Sequence, residues 1–260
     1  MDLGTMILYT ALVDDAGLFP PTSLHMDEAL ARHRRDAERG EQVLTHRFLC
    51  PASRLDRLRG LPDRPRRIGL IMDTEKLPDF DDLPVDFVEA RLPPDTSVEA
   101  LAERLALPAG VRLFAEVIPK KPAIDVPPGT GLKVRCGGAT ADTFPPVEHL
   151  AQFIRFCVEH DVPFKATAGL HHAVRHFDPS LGVDRHGFLN LLMAVCEAVD
   201  GRDPAPVLRT TDVGHLVRLA NSVPEGIAKR ARRLLVSYGS CSTSTPIDDL
   251  RTLGLIEENP

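Results

Sequence analysis

The chain has 260 residues, 43% hydrophobic, 26% charged and 5% aromatic, with 37 acids against 31 bases and a formal charge of −6. That length can enclose a substantial core, the apolar fraction excludes global disorder, and no apolar run approaches the ~20 residues that span a bilayer. A mildly acidic, tryptophan-free chain without a basic stripe is a poor nucleic-acid binder, and Met1-Asp2-Leu3-Gly4 carries an acid where a secretory signal has bases. A cytoplasmic protein acting on a small molecule is expected, with homo-oligomerisation left open.

Short apolar runs alternate with helical patterns along the chain, which predicts a parallel α/β sheet or barrel. The expected strands are Met6–Val13, Gln42–Cys50, Arg67–Asp73, Val85–Leu92, Val111–Ile118, Gly131–Cys136, Pro163–Thr167 and Leu234–Ser240, although Leu3–Val13 reads equally as a short helix. Ser23 is placed to cap a helix running from Leu24 towards Gly40. Thr96-Ser97-Val98-Glu99 reads as a capping box, with Pro108 ending the helix it opens. Pro146 opens another, in which Val147, Leu150, Phe153, Ile154, Cys157 and Val158 keep the helical period. Leu170–Arg233 is far longer than one crossover and predicts helices at His186–Val199, Val213–Asn221 and Glu225–Arg233. Eight strands with helical crossovers fit a (β/α)8 TIM-type barrel, typically of ~250 residues. Residues 1–260 are accordingly read as one barrel domain with a helical insertion at about 170–233, before the last strand.

In such barrels the active site lies at the C-terminal ends of the strands. Only six of the 31 basic residues are lysine, yet Lys133 and Lys165 sit inside apolar strands, as Leu132-Lys133-Val134-Arg135 and Phe164-Lys165-Ala166-Thr167. An ammonium against the helical jacket would be expensive, so both should face the lumen. A lysine beside another cation has a depressed pKa and becomes an amine nucleophile, which arginine cannot. Each lysine could instead simply pair with a lumen carboxylate. Glu116 is the best-placed carboxylate, ahead of Asp86 and Glu89, whose opposite parity lets only one face the lumen of a regular strand. These acids are candidates for proton transfer. Arg135 and Arg47 are candidates for an anion clamp.

Ala168-Gly169 and Gly239-Ser240-Cys241-Ser242 are turns after the last strands, and the second opens a short helix whose N–H groups and hydroxyls suit an anion. Asp14-Asp15 is expected in a loop after the first strand, lining the mouth. The five cysteines show no C-x-x-C spacing, so free buried thiols are expected rather than disulfides or structural zinc. His171-His172 is the only histidine doublet, and adjacent side chains diverge, so no metal site is assigned.

The segments Leu132-Lys133-Val134-Arg135-Cys136-Gly137-Gly138-Ala139-Thr140 and Phe164-Lys165-Ala166-Thr167-Ala168-Gly169 resemble the sixth and seventh strands of the deoxyribose-phosphate aldolase family. Tyr238-Gly239-Ser240-Cys241-Ser242 is similar to that family's eighth strand and phosphate turn, and Val85–Leu92 and Val111–Glu116 to its fourth and fifth strands. The resemblance implies a class I aldolase barrel in which Lys133 forms a Schiff base, Lys165 lowers its pKa, and Asp86 lies near the proton-shuttling aspartate. Gly169 and Ser242 match the family pattern. Arg135 replaces a small hydroxyl residue, Ala168 a glycine and Cys241 a serine, which points to an altered substrate.

The leading expectation is therefore a cofactor-free lyase or aldolase acting on a small anionic carbonyl compound. Lys133, Lys165, Glu116 and Asp86 would do the chemistry, while Arg135, Arg47, Gly169, His171, His172, Gly239, Ser240 and Ser242 bind substrate. The rival expectations are a non-covalent isomerase or metal-assisted hydrolase, and a barrel that binds a metabolite without catalysis.

Overall fold

The computed structural model describes residues 3–119 and 125–257, apart from the side chains of residues 3–5. Met1, Asp2, Lys120 and Lys121 lie outside the described residues. The strands are β1 (Val13–Asp15), β2 (Leu44–Pro51), β3 (Ile68–Ile71), β4 (Val85–Arg91), β5 (Arg112–Val117), β6 (Gly131–Arg135), β7 (Phe164–Thr167), β8 (His176–Asp178), β9 (Val183–Arg185) and β10 (Leu235–Ser240). All except β8 and β9 close into an eight-stranded barrel in the order β1-β10-β7-β6-β5-β4-β3-β2, with every neighbouring pair parallel. The fold is thus the α/β TIM-type barrel that the alternating pattern predicts. β8 and β9 form a separate antiparallel hairpin, too short and too polar to register as strands in the sequence.

The helices are α1 (Leu3–Tyr9), α2 (Met26–Arg39), α3 (Leu55–Arg59), α4 (Val98–Leu105), α5 (Val147–Glu159), α6 (Phe188–Val199), α7 (Ala205–Arg209), α8 (Val213–Asn221), α9 (Glu225–Leu234) and α10 (Ser244–Thr252). Residues 3–9 take the helical alternative, and the first strand shrinks to three residues. Two caps differ from expectation. His25, not Ser23, begins α2 in a box with Glu28, and Ser97, not Thr96, accepts the Ala100 N–H at the start of α4. In both cases the competing hydroxyl lies outside the first turn and cannot reach its free N–H groups. Between β3 and β4 no helix intervenes, and Phe80 and Leu83 of the connection are buried instead.

Strand parity divides the core. Ala90, Leu113, Ala115, Leu132, Val134 and Ala166 face the jacket, where α5 supplies Leu150, Phe153, Ile154 and Cys157. Phe153 meets Phe164 edge-on at 5.2 Å. α6 is apolar around nearly its whole circumference because it packs among α5, α7, α8 and α9. Its buried Asn190 is satisfied by donating to the Val207 and Thr210 carbonyls, both at 2.8 Å. The inner face carries a smaller apolar cluster of Ala16, Leu49, Phe87 and Phe114. At the N-terminal end, the Arg232 guanidinium of α9 donates to the carbonyls of Thr10, Ala11, Leu235 and Val236 and closes the floor. No helix among the described residues is long and apolar enough to cross a membrane.

Candidate active site in the barrel lumen

Register places the polar lumen residues side by side. Glu116 lies opposite Lys133, Lys133 opposite Lys165, and Lys165 opposite Ser237. Alternation turns all four inwards, and Glu89 and Asp14 join them from β4 and β1. Lys133 is 5% exposed and Lys165 1%. Neither ammonium is left uncompensated, as burial of charge requires.

Glu89 joins the two lysines. Its Oε2 is 2.6 Å from Lys133 Nζ, and its Oε1 is 3.3 Å from Lys165 Nζ. Lys133 also lies 3.0 Å from Glu116 Oε2, whose other oxygen is 3.5 Å from Arg135 Nε. Lys165 ion-pairs with Asp14, donates to Ser237 Oγ at 2.9 Å and stands 4.0 Å above the Phe87 ring. Ser237 in turn donates to Asp14 at 2.6 Å. The other Asp14 oxygen accepts from Thr45 Oγ1 at 2.7 Å and Arg47 Nη1 at 2.8 Å. A run of ion pairs therefore extends from Arg135 to Arg47. Only Arg135, 48% exposed at its side chain, opens substantially to solvent.

Two strand irregularities build this arrangement. In β2, His46 adopts a left-handed conformation (φ 51°) and shifts the pairing with β1, so that Thr45 and Arg47 both reach Asp14. In β4 the register steps from Ile68↔Val85 to Gly69↔Phe87, which leaves Asp86 as the extra residue of a bulge. Phe87 and Glu89 then point inwards, as the alternation of a regular strand requires beyond the bulge.

Three expectations are corrected here. Asp86 does not meet Lys133; the bulge holds it near the N-terminal end, accepting from Arg47 Nε at 2.9 Å and Arg67 Nε at 2.8 Å. Arg47 is buried between Asp14 and Asp86 and is not an open anion clamp. The Lys133 pKa is not depressed. Burial favours its neutral amine, but Glu89 and Glu116 overcome this and raise the pKa above the ordinary lysine value. Burial likewise opposes ionisation of Glu116, and Lys133 followed by Arg135 still holds its pKa low. For Asp14, Lys165 and then Arg47 outweigh complete burial and set the pKa at about 2.

Asp14, Glu89 and Ser237 are the members that sequence reasoning ranked too low or missed. Asp14 belongs to β1 rather than to a loop after it, while its neighbour Asp15 points outwards to His33 and Arg32 of α2. Strand parity would have found Asp14 and Ser237 once the strand bounds were known.

No family model, curated protein or solved structure matches this chain.

The rim residues are held as follows. Gly169 (φ 75°) approaches the Cys136 carbonyl, and Gly239 lies beside Leu49, Ala16 and Thr167. Ser240 donates to the Ser242 carbonyl at 2.6 Å, and Ser242 Oγ accepts the Thr245 N–H at 3.2 Å at the start of α10. His171 turns to Cys241 and His172 to Asp249, so the doublet diverges. Among the described residues, no group of three or more His, Cys, Asp or Glu side chains is arranged to hold a metal ion.

Proposed function

We propose that this barrel is a class I aldolase-like lyase that acts on a small anionic carbonyl compound through a Schiff base on Lys133. The observation that carries the reading is Lys133 Nζ held between Glu89 and Glu116, one strand away from Lys165. This is also what the resemblance to the deoxyribose-phosphate aldolase family implies for Lys133, although Glu89, and not the Asp86 placed near the proton-shuttling aspartate, is the carboxylate that meets both lysines.

Lys133 first passes a proton to Glu116, the more open of its two carboxylates, and the neutral amine attacks the substrate carbonyl. Glu116 returns that proton to the carbinolamine oxygen, which leaves as water, and an iminium forms. The iminium has the same charge as the ammonium it replaces, so Glu89 and Glu116 stabilise both. Its electron-poor carbon accepts the electron pair released by C–C cleavage or proton removal, and hydrolysis regenerates the amine. Arg135 pairs with the anionic part of the substrate at the open end. Borohydride added with a panel of 2-oxo acids and phosphorylated aldehydes should leave a reduced adduct on Lys133, found by peptide mass spectrometry and absent from Lys133→Arg. A wild-type protein unlabelled across the panel would refute the reading.

The raised pKa of Lys133 favours a second reading. Here the lysine stays an ammonium that binds the anion, while Glu116 moves protons without covalent catalysis. Lys133→Arg separates the two, because arginine keeps the charge but supplies no nucleophile. Turnover that survives this substitution selects the second reading.

A further inference from the structure

Outside the lumen, one thiol has an environment unlike the other four. Cys241 follows β10 at the C-terminal rim, and its Sγ lies 3.6 Å from His171 Nδ1 in the segment after β7. His171 itself is half-buried. Cys241 is buried, at 6% exposure. No carboxylate among the described residues pairs with His171. The charged groups around the turn are already matched. Arg32 donates to the Cys241 carbonyl at 2.8 Å and pairs with Asp15, and Asp249 pairs with His172 at 3.3 Å.

We propose that Cys241 and His171 form a second reactive centre, a thiolate–imidazolium pair that hydrogen peroxide oxidises to a sulfenic acid. The thiolate sulfur attacks one peroxide oxygen, and the S–O bond forms as the O–O bond breaks. The departing hydroxide takes the imidazolium proton and leaves as water. Sulfur is oxidised by two electrons, and peroxide is reduced.

The remaining cysteines provide an internal contrast. Cys50, Cys136, Cys157 and Cys196 are buried and free, and burial pushes each thiol up, to about 12 for Cys50, Cys136 and Cys196. At Cys241 burial acts in the same sense, but the hydrogen bond with His171 leads the influences that overcome it and bring the pKa to about 7. Near neutral pH, thiolate is thus concentrated on one sulfur. The proposal shares no residue with the lysine chemistry and stands or falls separately from it.

The test treats the whole protein with hydrogen peroxide at pH 7 in the presence of dimedone, then maps adducts by peptide mass spectrometry. The adduct is expected on Cys241 and on none of the other four cysteines. In parallel, the rate of iodoacetamide alkylation of wild-type Cys241 should have its pH midpoint near 7. His171→Asn should slow alkylation at pH 6.5 by roughly tenfold, as the thiol returns towards its ordinary pKa of about 8.5. An adduct on another cysteine at a comparable rate, a wild-type midpoint of ~8.5, or a folded His171→Asn protein with unchanged reactivity would each overturn the proposal. The wild-type profile decides the matter if the variant does not fold.

Discussion

Lys133 carries a proton that two carboxylates hold in place, and this defines the chemistry asked of it. Glu89 contributes a contact at 2.6 Å and Glu116 one at 3.0 Å. Removing one negative charge while keeping the side-chain shape should lower the Lys133 pKa, because an opposite charge at that distance shifts a titration by about one unit or more. In Glu116→Gln, the alkaline midpoint of borohydride trapping should therefore move to lower pH, even if the maximal rate falls with the lost proton acceptor. An unmoved midpoint would show that Glu116 does not act on Lys133. Asp86 makes a useful contrast. It is bound to Arg47 and Arg67, and Asp86→Asn should leave that midpoint in place.

At the scale of elements, the lumen is filled because two strands omit side chains where two others supply rings. A Cβ on Gly69 would lie 2.5 Å from the Phe87 ring and 2.6 Å from Leu49, and one on Gly131 would lie 2.6 Å from the Phe114 ring. Phe87 and Phe114 meet edge-on at 5.4 Å in the space this leaves, and Lys165 rests over the first of them. Glycine on β3 and β6 thus serves the packing beneath the lysines rather than a backbone turn. Gly69→Ala should destabilise the protein by about 1–3 kcal/mol, the usual cost of overpacking. Phe87→Leu, costly alone, should recover part of that loss in the double variant, read as non-additive urea midpoints. Additive midpoints would mean that the two strands do not press on each other there.

For the molecule as a whole, the lumen charges set a pH window for stability. Asp14 is held at about 2 and Glu116 below its ordinary value, so at acid pH the unfolded chain binds more protons than the folded one. Their contribution is complete above the ordinary carboxylate range of about 4 and is lost as pH falls towards 2. Lys133 acts in the opposite sense. Its contribution is present below the ordinary lysine value and is lost as pH rises through its raised pKa. Urea midpoints should therefore fall at both extremes. Asp14→Asn should cost about 3–5 kcal/mol at pH 7, because Lys165 and Arg47 lose a buried partner, and should flatten the acid limb. An acid limb as steep as in the wild type would place the pH-sensitive group elsewhere.

Periodicity alone specified the barrel, most strand positions and the inward direction of Lys133 and Lys165. Those features depend on local alternation, and an ammonium between apolar neighbours leaves few places to go. It also singled out Glu116, whose parity on a regular strand is unambiguous. The partners of the lysines required the closed structure. Asp14 reaches Lys165 only through the β1–β10–β7 neighbourhood, and the role of Glu89 depends on a bulge that swings Asp86 away. The direction of the Lys133 pKa reversed for the same reason: a second cation could be read along the chain, but the carboxylates that overcome burial and raise the pKa arrive from other strands. Sequence order records which groups a strand carries, whereas Coulomb energy depends on which groups the closing of the barrel brings within a few ångströms.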